Sequence, residues 1–502
     1  MTYLKTFRDP LMSRWQSVVE SVVDTDQGAA AAGTRPALSN PLVQAAVAVN
    51  AAVASGVELL APPPLAAAAG SPPLAGMPPL AVLAPLAGAP APASVPPAPA
   101  ASASSGSAAP TPPVRGTAAT VRTCADLAFQ LLHARLDGEP ADRIRRLEDA
   151  LQFGACDPKW SEAVDAYLKY FVVEHETIPY RPAPADPAQL PPVVLKENAT
   201  VALIADAGTG TPEAMALLEQ VAAHQPDVVI HLGDIYYSGT QDECQKYFLD
   251  LCNQAFRRDA KPLPIFTMTG NHDMYAGGAG FYWLIDQLNK PPLAPPGQAQ
   301  MASFFALRSS GWQLLAMDTG LHDSDVFDVA TAETYLEDAE LAWHSHWIDN
   351  AGGRRTILLS HHQLFSAFSA IGTEGDRSLN TRLLAQFGAR LGKADAWFWG
   401  HEHNLEIYAP YQGLERGRCI GCAAIPVYVA ENPYTSRVGN RIPLLPANPA
   451  VSSLPVMLES VDGVYEHAFA ILKLDDAAKT AQITYYQTCG PQGTPLFTER
   501  IG

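Results

Sequence analysis

Five apolar runs between residues 201 and 404 end in residue types that bind metal ions, and this pattern constrains the fold more than any other. "VALIAD" ends at Asp206 and "DVVIHLGD" at Asp234. "LPIFTMTGNHD" ends at Asn271, His272 and Asp273, "RRTILLSHH" at His361 and His362, and "ADAWFWGHEHN" at His401, His403 and Asn404. A lone Asp behind a strand is ordinarily a turn residue or a helix cap. Repetition at five strand ends asks for one cause. Histidines at i and i+2 on a loop can face a single centre, and Asp, Asn and His donors suit Zn, Mn and Fe better than a soft thiolate site would. The pattern predicts a centre of two metal ions.

The runs also set the topology. "VALIAD" predicts a buried strand, Thr211-Pro212 the start of a helix reaching about His224, and Pro226 the restart of the chain into a second strand. Two parallel strands joined by a helix bring their C-terminal ends to the same sheet edge, where α/β folds bind ligands. Asp206 and Asp234 are therefore expected side by side.

The N-terminal part reads differently. Much of the chain's total of 44 prolines, and of its 48% hydrophobic content, falls between Gln27 and Thr120, where Arg35, Glu58 and Arg115 are the only charges. Pro removes backbone donors and Ala buries little area against the cost of ordering, so residues 26–120 are expected to be a disordered spacer. Within it "PLVQAAVAVNAAVASGVELL" is interrupted by Gln44, Asn50 and Glu58, which favours an Ala-rich helix over a membrane span. Ahead of the spacer, Leu11, Trp15, Val18, Val19 and Val22 recur at helical spacing, predicting a short amphipathic helix in residues 1–25 that packs on the protein's own body or on a partner surface. Behind it, Thr123 and Asp157-Pro158 start two helices, the second carrying Trp160, Val164, Tyr167, Leu168 and Phe171. With the extended stretch "IPYRPAPADPAQLPPVV" they make a helical accessory unit and connector over 121–195. Residues 196–502 are left for the catalytic domain.

Charge and cysteines narrow the function classes. A net charge of −18 argues against nucleic-acid binding, which relies on Lys and Arg displacing phosphate counterions. A small anionic substrate remains compatible, because bound cations reverse the sign of a pocket. Seven scattered cysteines, an odd number, suit free thiols in a reducing compartment. No second Cys pair stands near Cys419-Ile-Gly-Cys422 to complete a zinc site. No apolar stretch follows Lys5, Arg8 and Arg14 before Asp24, so no secretory signal is seen. A cytoplasmic location is the default expectation, with export by another route open.

Asp-x-Gly at 206–208, Gly-Asp-x-x-Tyr at 233–237, Gly-Asn-His-Asp at 270–273, a strand ending at His361 and Gly-His-x-His at 400–403 together resemble the calcineurin-like metallophosphoesterases, in the variant of the purple acid phosphatases. The likeness covers roughly Val201 to Tyr408, and "HAFAILKLDDAAKTAQITYYQT" resembles that fold's closing hairpin. It implies an α/β fold, a four-layer α/β/β/α sandwich of two mixed sheets. It implies that Asp206, Tyr237 and His403 hold one metal, that Asn271, His361 and His401 hold the other, and that Asp234 bridges them. Two ions roughly 3.5–4 Å apart would clamp a phosphoryl group and supply a bound hydroxide as nucleophile. His272 matches the family's general acid, while Asp273 either tunes that imidazole or starts the following turn. Gly208 stands where many relatives carry a metal-binding His, and Tyr237 is the expected substitute. A phenolate ligand asks for a strongly acidic ion, so iron is expected there, with iron, zinc or manganese beside it.

Other residues are discounted. His362 competes with His361 for the ligand role, because "SHHQLFS" lacks the family's Pro. His231 is expected as a core histidine, and His344 and His346 at a helix surface. Tyr275, Phe281, Tyr282, His322 and Asp323 are candidates for the pocket mouth. The sequence therefore predicts a metal-dependent phosphomonoesterase acting on a small phosphorylated substrate. A phosphodiesterase or nucleotide pyrophosphatase on the same centre is the alternative, and an interaction or effector protein with a secondary metal site is a third reading.

Overall fold

The structure, a computed structural model, describes Ala163 and residues 166–324, 332–372, 375–427, 433–436, 442–447, 454–461, 464–488 and 490–502, with positions 429 and 438 between them. The expected N-terminal helix, the spacer, the helix from Thr123, the start of the helix from Asp157, Cys124, Cys156 and Cys489 lie outside these residues.

In chain order the strands are β1 (Val193–Val194), β2 (Thr200–Ile204), β3 (Val228–His231), β4 (Ile265–Thr267), β5 (Phe305–Arg308), β6 (Trp312–Ala316), β7 (Arg355–Leu359) and β8 (Ala396–Trp399). They continue as β9 (Leu405–Ile407), β10 (Gly417–Ile420), β11 (Ser460–Val461), β12 (Val464–Tyr465), β13 (Ala468–Asp475), β14 (Thr480–Gln487) and β15 (Thr494–Ile501). One sheet runs β1-β5-β6-β7-β8-β10-β9 and the other β15-β14-β13-β2-β3-β4. Both are mixed: β2, β3 and β4 are parallel neighbours, as are β6, β7, β8 and β10, while β13, β14 and β15 pair antiparallel.

Alternation along the strands builds the layers. Val201, Leu203, Val228 and Ile230 face Leu314, Ile357, Leu359 and Phe398 across the space between the sheets. Ala202, Ile204 and Val229 point the other way, onto Leu217, Leu218 and Val221 of helix α1 (Pro212–Ala223). On the far side Leu315, Leu358, Trp397 and Trp399 pack against Trp343 and Ile348 of helix α2 (Asp338–Asp349). The order is helix, sheet, sheet, helix. Burying a large aliphatic side chain in such an interface contributes about 1.5–3 kcal/mol, which favours near-continuous apolar strands over alternating ones. A paired polar group crosses the interface: the Arg418 guanidinium of β10 meets the Glu499 carboxylate of β15 through Nε and Nη2 at 2.7 and 2.6 Å.

α1 starts where expected, the Thr211 hydroxyl accepting from the Ala214 N–H and Pro212 opening the first turn. The 468–487 segment forms the predicted hairpin. One reading is corrected: His344 is fully buried, because α2 turns that face onto Phe304. Its Nε2 lies 3.2 Å from Glu340 Oε1. Burial holds His344 down to about 3 and pushes Glu340 well up, so the contact is a neutral hydrogen bond and not an ion pair. His346 is exposed, as expected. His231 is a satisfied core residue, its Nδ1 3.0 Å from Thr267 Oγ1.

Candidate metal centre

The parallel strands β2 and β3, in register at Ile204 and His231, put their following loops together. Asp206, Asp234 and His401 all take left-handed backbone conformations, with φ of 58°, 74° and 65°. Asp adopts this region more readily than most residues, and strained backbone of this kind collects at functional sites. The sharp turn aims each side chain at the sheet edge. Glycines let the loops close in: a Cβ on Gly270 would lie 2.0 Å from Asp234 Oδ1, and one on Gly400 would lie 2.6 Å from Asp206 Oδ2.

Two groups of donors result. In the first, Asp206 Oδ1 lies 3.3 Å from His403 Nε2, and the Tyr236 hydroxyl lies 3.1 Å from Asp206 Oδ1, 3.1 Å from Asp234 Oδ2 and 2.9 Å from His403 Nε2. In the second, Asn271 Oδ1 lies 3.2 Å from His361 Nε2 and 3.1 Å from His401 Nδ1. Asp234 Oδ2 is also 3.4 Å from His361 Nε2, so one carboxylate oxygen faces both groups.

The surroundings fix the donors. His361 Nδ1 is 2.9 Å from the Leu232 carbonyl, which leaves Nε2 facing Asn271 and Asp234. Asn271 Nδ2 donates to the Tyr275 hydroxyl at 2.6 Å, turning Oδ1 towards the histidines. Asp273 accepts from the backbone N–H groups of Gly270 and Asp234 at 2.8 and 2.9 Å, and so ties the two loops together. The His272 backbone donates to Asp234 Oδ1 at 3.0 Å, and its ring Nδ1 sits 2.8 Å from the Tyr237 carbonyl.

The electrostatics favour a cation among these donors. Burial and Asp234 push Asp206 up to about 7, while burial and Asp234 raise Asp273 to about 8. Burial also works against ionised Asp234, but His361 and His272 outweigh it and hold its pKa well below the ordinary carboxylate value. Burial would lower His361, yet Asp234 lifts it to about 9. Carboxylates, imidazoles, a phenol and an amide oxygen converging in a buried space form a hard-to-borderline donor set suited to Fe, Mn or Zn. Asp206, Asp234 and His403 have ligand atoms within 4.8 Å of one another, as do His361, His362 and His401.

The expected residues converge, with one shift. The sequence points to Tyr237 as the phenol and has Tyr236 packing elsewhere, whereas the Tyr236 hydroxyl occupies the place beside Asp206 and His403. Ile235 pairs with Gly208 as in a parallel strand, the Tyr236 N–H donating to the Gly208 carbonyl at 2.9 Å. Side chains alternate across such a pairing. Ile235 therefore turns into the α1 side of the core, and Asp234 and Tyr236 share the opposite face. Tyr237 contributes through its backbone, its carbonyl meeting His272 and its N–H donating to Glu243 Oε1 at 2.6 Å.

His362 stands next to the second group but is engaged on both nitrogens, with Thr319 Oγ1 and Asp323 Oδ2 each at 3.0 Å. Asp323 and His362 line a cavity beside His401 together with Gln363 and Asn380. Tyr275 touches Asn271, while Phe281 and Tyr282 belong to a separate apolar cluster and His322 stacks on Tyr335. Cys419 and Cys422 are buried free thiols. Among the described residues no helix is long and apolar enough to cross a membrane.

No curated protein matches this chain in sequence. Solved structures similar to it include GAP50, the anchor in the inner membrane complex of Plasmodium, at 13% identity over 61% of this chain and 89% of that one, TM-score 0.41. A putative 5′-nucleotidase from Staphylococcus aureus is similar at 13% identity over 52% of this chain and 55% of that one, TM-score 0.30. TT1561 of Thermus thermophilus is similar at 12% identity over 48% of this chain and 98% of that one, TM-score 0.30. Residues 199–405 match the family model of the calcineurin-like phosphoesterases, a span that contains β2 to β8 and every donor described above.

Proposed function

We propose that the chain is a dinuclear metal-dependent phosphomonoesterase. Asp206, Tyr236 and His403 would hold one ion, Asn271, His361 and His401 the other, and Asp234 would serve both. The observation that supports this most is the position of Asp234 Oδ2, 3.1 Å from the Tyr236 hydroxyl and 3.4 Å from His361 Nε2. When bound, two such ions neutralise phosphoryl oxygens and bring the pKa of water from about 15.7 towards roughly 7. Iron is proposed for the half-site that contains the phenol.

The chain's own groups do the rest. His272, held by its backbone N–H on Asp234 and by Nδ1 on the Tyr237 carbonyl, presents Nε2 as the atom that passes a proton to the departing alkoxide. Asp273 keeps the Asn271 loop in register with Asp234, a positioning role. The cavity bounded by His362, Asp323, Gln363, Asn380 and His401 encloses about 10 Å³, room for about one water.

The test is turnover of a monoester and a diester chromogenic substrate by metal-loaded protein, with metal content measured on the same sample. Monoester turnover with two ions per chain is the expected result. Diester turnover alone would move the assignment to the phosphodiesterase reading.

A further inference from the structure

The loop after β6, residues 318–323, touches two of the metal-binding loops at once. Asp318 Oδ1 accepts from the Thr269 hydroxyl, directly before Gly270 and Asn271. Gly320 is so close to that loop that a Cβ on it would lie 2.5 Å from the Gly270 carbonyl oxygen. Thr319 and Asp323 hold His362, the neighbour of His361. These four contacts lead to the half-site of Asn271, His361 and His401, and none of them is to Asp206, Tyr236 or His403.

The loop is itself held from behind. Glu340 Oε1 accepts the Asp318 backbone N–H at 2.8 Å, and Glu340 Oε2 lies 3.3 Å from the Tyr180 hydroxyl. Glu340 is fully buried, so the partners that fix its carboxyl fix the loop. Tyr180 belongs to the Pro-rich connector, which is clamped at the next residue: Arg181 makes a two-pronged ion pair with Asp286 at 2.9 and 2.8 Å and lies over the Tyr282 ring.

We propose that Tyr180 is a positioning residue for one half of the metal centre, acting through Glu340 and the 318–323 loop on Asn271 and His361. The inference rests on the dinuclear reading above. It makes the connector a working part of the site, so that movement of the segment before Tyr180 reaches the metals along a line of hydrogen-bonded groups.

The experiment uses the full chain, stripped with chelator and titrated with buffered zinc(II), comparing the wild type with Tyr180→Phe. The phenylalanine keeps the ring and removes only the hydroxyl. One of the two zinc-binding steps should weaken by about tenfold, the low end of what outer partners of metal ligands are worth, while the other stays within about twofold. In an Asn271→Ala background, where only the Asp206 half-site is left, Tyr180→Phe should change nothing. Glu340→Gln, which keeps an oxygen for the Asp318 N–H and a polar partner for Tyr180, should retain both steps. Two unchanged steps in Tyr180→Phe, or a parallel loss of both with a lower melting temperature of the metal-free protein, would overturn the proposal. A wild type that takes up a single zinc would instead defeat the dinuclear reading, and this inference with it.

Discussion

The Tyr236 hydroxyl lies 2.9 Å from Nε2 of His403, inside the donor group that also holds Asp206. Burial and the two carboxylates raise the pKa of this phenol well above its ordinary value, so a phenolate there needs a strongly acidic cation beside it. Iron-loaded wild-type protein should therefore show a visible phenolate absorption. Tyr236→Phe should lose it along with affinity for that ion, and Tyr237→Phe should keep it. Spectra of the two variants at equal iron content decide between adjacent tyrosines, and the reverse pattern would return the ligand role to Tyr237.

The ligand loops are legible in the sequence because their chemistry is local. Each apolar run ends in its own donor, and a parallel β-α-β unit leaves the first two loops only one edge to share. Tyr236 escapes such a reading because motif spacing counts residues along the chain, whereas the Ile235 to Gly208 pairing decides which side chain faces the metals. His344 escapes it for a related reason: helix α2 is covered by Phe304, a contact that helical periodicity does not contain. Asp318, Glu340 and Tyr180 leave no signal at all, since their partners lie at distant positions in the sequence.

Gly270→Ala tests the close approach of the loops. The added methyl would stand 2.0 Å from Asp234 Oδ1 and 2.8 Å from His361 Cε1, so the shared carboxylate must move. A displacement of about 1 Å at a reacting centre can cost on the order of 10²-fold in rate. Activity should fall by about that factor, and metal content should drop below that of the wild type. A fully active Gly270→Ala enzyme would show that Asp234 does not sit between the ions.

Stability at low pH should depend on Glu499. Burial works to raise its pKa, but hydrogen bonds from Arg418 outweigh burial, helped by Tyr485 and Arg416, and the folded value lies below the ordinary one. A carboxyl depressed by folding adds stability above its unfolded value of about 4.3 and loses it as pH falls through the folded value. The wild type should lose melting temperature steeply below about pH 4.3, and Glu499→Gln should show a shallower slope there. At neutral pH the Gln variant should be less stable by about 3–5 kcal/mol, because Arg418 is left buried without its counter-charge. Thermal melts across the acidic to neutral range measure both effects.

Truncation should separate the spacer from the connector. The sequence reads residues 26–120 as a low-complexity spacer, and removing residues 1–120 should leave turnover and metal content unchanged. Residues 170–190 are different: Tyr170 packs so closely on Gly277 that a Cβ there would lie 2.0 Å from its ring. Arg181 pairs with Asp286, and the Leu190 carbonyl accepts from Trp343 Nε1 at 3.1 Å. A chain starting at residue 196 would expose the apolar surface under these groups and strip Glu340 of its Tyr180 partner. An unpaired buried polar group costs about 1–3 kcal/mol, on top of the lost burial. That chain should melt at a lower temperature and bind metal less well than one starting at residue 121. Equal melting temperature and equal metal content for the two truncations would make the connector a passive tether.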